Sequence, residues 1–222
     1  MTDYRGGMLP EDLMLLFLDQ QTGKLHADSS SVENALAGAV LIELVNSGRI
    51  AFEPNGKKLQ IVDPTPLKDP VLQEAIGRFD KPMKPQRAVE RLRKNVRDNV
   101  AAQLEARGIV RVESRKVLGI FPGKRYVITK ETVALEVRKA VGEVASGYRG
   151  ADARTGSLIT LLHAVKAVHK VFDGDKRAMT ERAKGIAAGN WAGDAVRRAV
   201  EAIQAGVAAA TASAAAASSG AG

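Results

Sequence analysis

Along most of the chain the apolar residues recur three and four positions apart, and strict alternation appears only in short runs between these stretches. The pattern is that of helices with one buried face, joined by a few short strands. Pro10, Glu11 and Asp12 suit the first turn of a helix carrying Leu13 to Phe17, which stops in the Gln20–Gly23 turn. Ser30 and Glu33 have capping-box spacing ahead of Leu36, Val40, Leu41 and Leu44, with Gly48 as the stop. Runs at 49–53 and 58–62 flank Pro54-Asn55-Gly56 and predict a hairpin. Asp69 and Pro70 open a short helix. From Pro85 to Arg107 the stripe Val89, Leu92, Val96, Val100, Leu104 predicts one long helix, ended by Gly108.

Strand-like runs at 109–113, 117–120 and 125–129 form a second hairpin, with Phe121-Pro122-Gly123 between the last two. Val133, Val137, Val141 and Val144 mark a further helix. Leu158, Leu161, Leu162, Val165, Val168 and Phe172 mark the helix expected at the centre of the core, and two more start near Asp175 and Asp194. From about Gly206 the Ala/Ser/Gly composition offers almost nothing to bury, which predicts a disordered tail over 207–222. The expected architecture is mostly α: a single compact helical domain over 1–206 around a central apolar helix, with short β-hairpins.

Composition narrows the function. The 45% hydrophobic fraction fills a core, and the absence of cysteine excludes disulfides and cysteine-ligated metal. No run reaches the roughly 20 apolar residues of a membrane span, and the start lacks the layout of a signal peptide. These features predict a cytoplasmic protein whose membrane contact is peripheral. The net charge of +8 is unevenly spread. Between Lys81 and Lys130, fourteen Lys and Arg stand against four acids, a surplus of ten, so the rest of the chain is slightly acidic. A basic segment on a near-neutral body points to a polyanionic partner.

Catalytic patterns are missing. His163 and His169 are six apart, on different helix faces, and the sequence has neither a Gly-x-x-x-x-Gly-Lys loop nor a Gly-x-Ser-x-Gly elbow. Asp173 and Asp175 lack the Glu of a calcium loop. The reading is a non-enzymatic protein with no metal and no cofactor. In the long basic helix, Lys94 and Arg97 lie three apart and present two positive heads to one anion, with Arg91 and Arg93 in support. The hairpin adds Lys116, Phe121, Lys124 and Arg125 near its tip, as a membrane-facing or oligomerisation surface.

Two other readings fit the same pattern. A helix ended by Gly and followed by an antiparallel ribbon occurs twice, at 39–62 and 99–129, which is also how a winged-helix DNA-binding regulator reads. Against DNA, Val96, Val100 and Leu104 bury the body of the would-be recognition helix, so a nucleic-acid partner is not expected. The remaining alternative is an oligomeric protein-binding scaffold.

The order of motifs resembles the Golgi phosphoprotein 3 family of phosphoinositide-binding adaptors. The matching stretches are Leu9-Pro10-Glu11-Asp12-Leu13-Met14-Leu15-Leu16, Gly38-Ala39-Val40-Leu41-Ile42-Glu43-Leu44 with Gly48-Arg49-Ile50, Lys94-Asn95-Val96-Arg97 through Gly108-Ile109-Val110, and Leu158–His163. The resemblance implies a helical domain without catalysis and a shallow basic pocket for phosphatidylinositol 4-phosphate. It also implies membrane-protein cytoplasmic tails as cargo and homo-oligomers formed through the 115–129 hairpin. Lys94 and Arg97 fall on the family's two pocket cations. Asp28 stands near the family's pocket tryptophan, and Ala37 where it has a third arginine. The expected function is a peripheral membrane adaptor whose basic pocket binds a phosphoinositide or another anionic phospholipid headgroup, the departures favouring the more generic lipid. The short start and alanine-rich end resemble a bacterial relative.

Overall fold

Local chemistry starts and stops most of the elements. The computed structural model describes residues 7–117, 121–189 and 194–219. Helix α1 (Leu9–Phe17) begins with Pro10 in its first turn, and the Glu11 carboxylate accepts the Met8 amide at 2.9 Å. Helix α2 (Ser29–Asn46) is capped by Asp28, whose carboxylate accepts the Ser31 amide at 2.9 Å. The expected Ser30/Glu33 capping box does not form, because both side chains are turned to arginines instead. Strands β1 (Ile50–Phe52) and β2 (Leu59–Ile61) pair with Ile50 opposite Ile61. Helix α3 (Pro70–Gly77) is capped by Asp69 on the Leu72 amide.

The long basic helix is two helices. α4 (Pro85–Leu92) and α5 (Val96–Ala106) are separated at Asn95, which takes a left-handed φ of 63°. Asn tolerates this conformation better than most residues. The carbonyls of Arg91 and Lys94, freed by the break, are met by the Arg78 guanidinium at 3.1 and 2.8 Å. The central helix expected over 158–172 is likewise split, into α7 (Ala153–Ala164) and the single-turn α8 (Val168–Val171), with Lys166 at φ 54°.

The second ribbon is longer than its hydrophobic runs indicate. β3 (Val110–Val117) pairs with β4 (Phe121–Ile128) from Val110–Ile128 to Val117–Phe121. Phe121-Pro122-Gly123 is therefore strand, which a two-stranded ribbon with open edges allows. Lys124 and Arg125 lie opposite Ser114 and Glu113, along the ribbon rather than at its tip. Helices α6 (Glu131–Ser146), α9 (Lys176–Ala187) and α10 (Asp194–Ser219) complete the fold.

The core centres on α2 and α7 together. α2 touches α1, α3, α4, α5, α7 and α10, and the run Thr155–Leu162 of α7 is buried throughout. At Gly38 a Cβ would lie 2.6 Å from Val207 and 2.7 Å from Leu161, so α2, α7 and α10 meet where only a hydrogen fits. That contact overturns the expected disordered tail. Residues 207–219 are helical, Val207 and Ala210 are buried, and Asn34 donates to the Thr211 hydroxyl at 3.2 Å. Alanine needs little entropy to stay helical, and one packed face supplies the rest. Against the expectation that no span exists, Arg198–Ser219 is long and apolar enough by length and composition, with a mean hydropathy of 1.2. Alanines dominate that stretch, and its larger apolar residues Val200, Ile203 and Val207 are buried in the core.

Two half-buried histidines give the fold a pH dependence. Burial lowers the pKa of His26, with Arg138 lowering it further and Asp19 and Asp173 opposing. Burial also lowers His163, helped by Lys184 and opposed by Glu181. Both rings gain a proton more readily in the unfolded chain, near the ordinary value of 6.5. Their contribution is complete above that pH and is lost as pH falls below it. The melting temperature is expected to drop between pH ~7 and pH ~5.5, and less steeply in a His26→Gln, His163→Gln variant. An equal slope in both proteins would show that other groups set it.

Candidate functional site

The side chains proposed from sequence as one phosphate clamp separate once α4 and α5 are distinct helices. Arg91 forms a two-pronged pair with Asp80 at 2.6 and 3.0 Å. Arg93 reaches Ser30 at 3.1 Å and Glu33 at 3.3 Å. Lys94 falls in the break and borders a small crevice beside Glu74, Arg78 and Asn99. The pairing of Lys94 with Arg97 on one helix face is thus not formed. The side chains of Lys116 and Phe121 lie outside the described residues.

Arg97 has a different setting. It stands in the first turn of α5, donates to the Ser29 hydroxyl at 2.9 Å and is 3.9 Å from Glu33. It lines an open cleft of about 890 Å³ between the 23–29 segment and the ribbon β3–β4, together with Lys24, Asp28, Ser29, Lys124 and Tyr126. Two of the lining residues also carry a buried polar atom with no hydrogen-bond partner among the described residues, Arg97 Nε and the Tyr126 hydroxyl. Burial raises the Tyr126 pKa; Arg97 and Lys124 pull it down, while Asp98 and Glu33 add to the rise. The phenol is therefore a protonated donor at neutral pH. Lys124 is half-exposed and 2.9 Å from Asp98.

The backbone holds the two walls together. The Tyr126 amide donates to the Gly23 carbonyl at 3.3 Å, and Arg125 Nε donates to the Thr22 carbonyl at 3.1 Å. The cleft collects Arg97, Lys24 and Lys124 against the single lining carboxylate of Asp28. Although burial works to raise its pKa, hydrogen bonds from the Ser31 hydroxyl and amide hold Asp28 below the ordinary carboxylate value. Donors on facing walls suit a phosphate-sized anion, although Lys124 is already paired with Asp98 and Arg97 lies beside Glu33. Among the described residues no three His, Asp or Glu side chains gather as a metal site.

A family model for Golgi phosphoprotein 3 (GPP34) matches residues 9–203. The chain belongs to the Golgi phosphoprotein 3 family. No curated protein matches it. The family is one of non-enzymatic, Golgi-associated adaptors, and its match spans the cleft and every helix that positions it. At Asp28 and Ala37, the two departures noted from the sequence, the structure gives each residue a role in α2. Asp28 caps α2, and Ala37 is fully buried inside that helix and brings nothing to the cleft. Sequence reasoning named Arg97 and Lys124 but missed Lys24 and Tyr126. Both are isolated residues in turn and strand, and only the fold brings residues 23–29 against 123–126. The DNA reading also loses its recognition helix, which is broken at Asn95.

Proposed function

We propose that this member of the Golgi phosphoprotein 3 family is a peripheral membrane adaptor that holds the phosphate of an anionic phospholipid headgroup in the cleft at Arg97. The observation that carries the reading is the gathering of Arg97, Lys24 and Lys124 on facing walls of one cleft with Tyr126. Each cation near an anionic leaflet contributes about 1 kcal/mol, and the attraction fades over a Debye length of roughly 10 Å at moderate salt.

Flotation of the full chain with phosphatidylcholine vesicles, with and without phosphatidylglycerol, tests the reading. An Arg97→Ala, Lys124→Ala variant is expected to lose about 30-fold in affinity for the anionic vesicles. Asp28→Asn keeps the helix cap, removes the lining carboxylate and is expected to tighten binding several-fold, by about 1 kcal/mol. Lys57→Ala, Lys58→Ala, in the exposed turn between β1 and β2, removes the same two charges away from the cleft. Equal losses in the double variant and the control would leave only nonspecific attraction and remove the cleft from the account.

A further inference from the structure

Three serines in succession open α2, and the fold treats each differently. Ser31 is buried, and its hydroxyl donates to the Asp28 carboxylate at 2.7 Å as part of the cap. Ser30 is half-buried and accepts from Arg93 at 3.1 Å. Ser29 is exposed, lines the cleft and accepts from a terminal nitrogen of Arg97 at 2.9 Å. Lys24 and Lys124 line the same cleft. Of the three hydroxyls, that of Ser29 is the one open to solvent and already in the grip of a guanidinium.

We propose that Ser29 is a phosphorylation site, and that its phosphate is held by Arg97 inside the cleft and shuts out the lipid headgroup. The inference rests on the headgroup reading above and adds a covalent off-switch to that same site. A protein kinase supplies the terminal phosphoryl group of ATP. The bond from Ser29 Oγ to phosphorus forms as the bond to the β-phosphate oxygen breaks; ADP leaves, and the hydroxyl proton passes to the kinase's base. The product carries close to two negative charges at neutral pH and three strong acceptor oxygens. It is attached to an oxygen that Arg97 already touches, so the guanidinium meets it with little rearrangement. Asp28 and Glu33 oppose the new charge, and the phosphate takes over from the Glu33 carboxylate, which lies 3.9 Å from Arg97. Because it is tethered, it faces Arg97 at a high effective concentration that a headgroup must outcompete.

The experiment uses the full chain with phosphoserine installed at position 29 during synthesis. The control carries phosphoserine at position 47, exposed at the far end of α2. In phosphorus NMR the phosphate at 29 is expected to titrate below the one at 47, and Arg97→Ala to close much of the gap by moving the first alone. In flotation, phosphate at 29 is expected to weaken binding to phosphatidylglycerol vesicles about tenfold, and phosphate at 47 by less than about twofold. A titration at 29 that ignores Arg97→Ala, or equal losses from the two phosphates in flotation, overturns the inference and leaves the headgroup reading in place. An unmodified chain that ignores the anionic vesicles sinks the headgroup reading, and the off-switch with it. Peptide mass spectrometry of the chain isolated from its own cells is expected to find phosphate on Ser29, and its absence there overturns the assignment.

Discussion

Replacing Arg154 by alanine is expected to lower the free energy of unfolding by about 3–5 kcal/mol, a large share of what holds a domain of this size together. Asp12 sits in the first turn of α1 with 1% of its surface exposed. Arg154 Nε donates to Asp12 Oδ2 at 2.9 Å, and a terminal nitrogen of the same guanidinium bonds both that oxygen and the Gly7 carbonyl. One side chain at the start of α7 thus neutralises a buried carboxylate and anchors the entry to α1. Removing it takes the guanidinium away from a buried carboxylate and releases the Gly7 carbonyl at the entry to α1. The half-exposed pair of Arg91 with Asp80 is the comparison, since solvent screens it and its loss is expected to shift the midpoint little. Urea unfolding of the two variants measures the contrast. Midpoints shifted alike would show that Asp12 is screened by something other than Arg154.

Gly206→Val is expected to cost about 1–3 kcal/mol and to loosen α10 from α4. A Cβ at Gly206 would lie 2.7 Å from the Gln86 amide nitrogen and 2.8 Å from the Pro85 carbonyl carbon. Those are backbone atoms at the start of α4, so no rotamer change gives way and the helices must part. Gly185 in α9 is the opposite case, exposed and with nothing within 4 Å of a Cβ, so Gly185→Ala is expected to stabilise by about 0.5–1 kcal/mol. Thermal unfolding together with protease digestion near residue 206 reads both. A Gly206→Val protein that melts with the parent would mean α10 adds nothing to the fold.

The elements that could be read from sequence are those fixed by neighbours in the chain. Asp69 and Asp175 cap the helices they precede because a short carboxylate reaches amides within the next turn. The break at Asn95 was hidden because the apolar stripe keeps its spacing across it: Leu92 and Val96 are both buried, on two helices instead of one. What fixes that break is Arg78, a residue far along the chain whose role no local pattern reveals. Residues 207–219 were misread for a related reason. Alanine carries no periodic signal, and the partners Gly38 and Asn34 lie far away in sequence. The site follows the same division. A basic segment is visible in composition, but which cations keep their charge available depends on acids brought in from other helices.

Glu33 bears on how the cleft responds to its surroundings. Its carboxylate is shared between Arg93 and, at longer range, Arg97, so the protein sets an anion of its own beside these donors. In the proposed docking, a headgroup phosphate competes with that internal carboxylate as well as with ions from solution. Ionic strength should therefore weaken attachment less steeply than a bare count of fourteen basic side chains would imply.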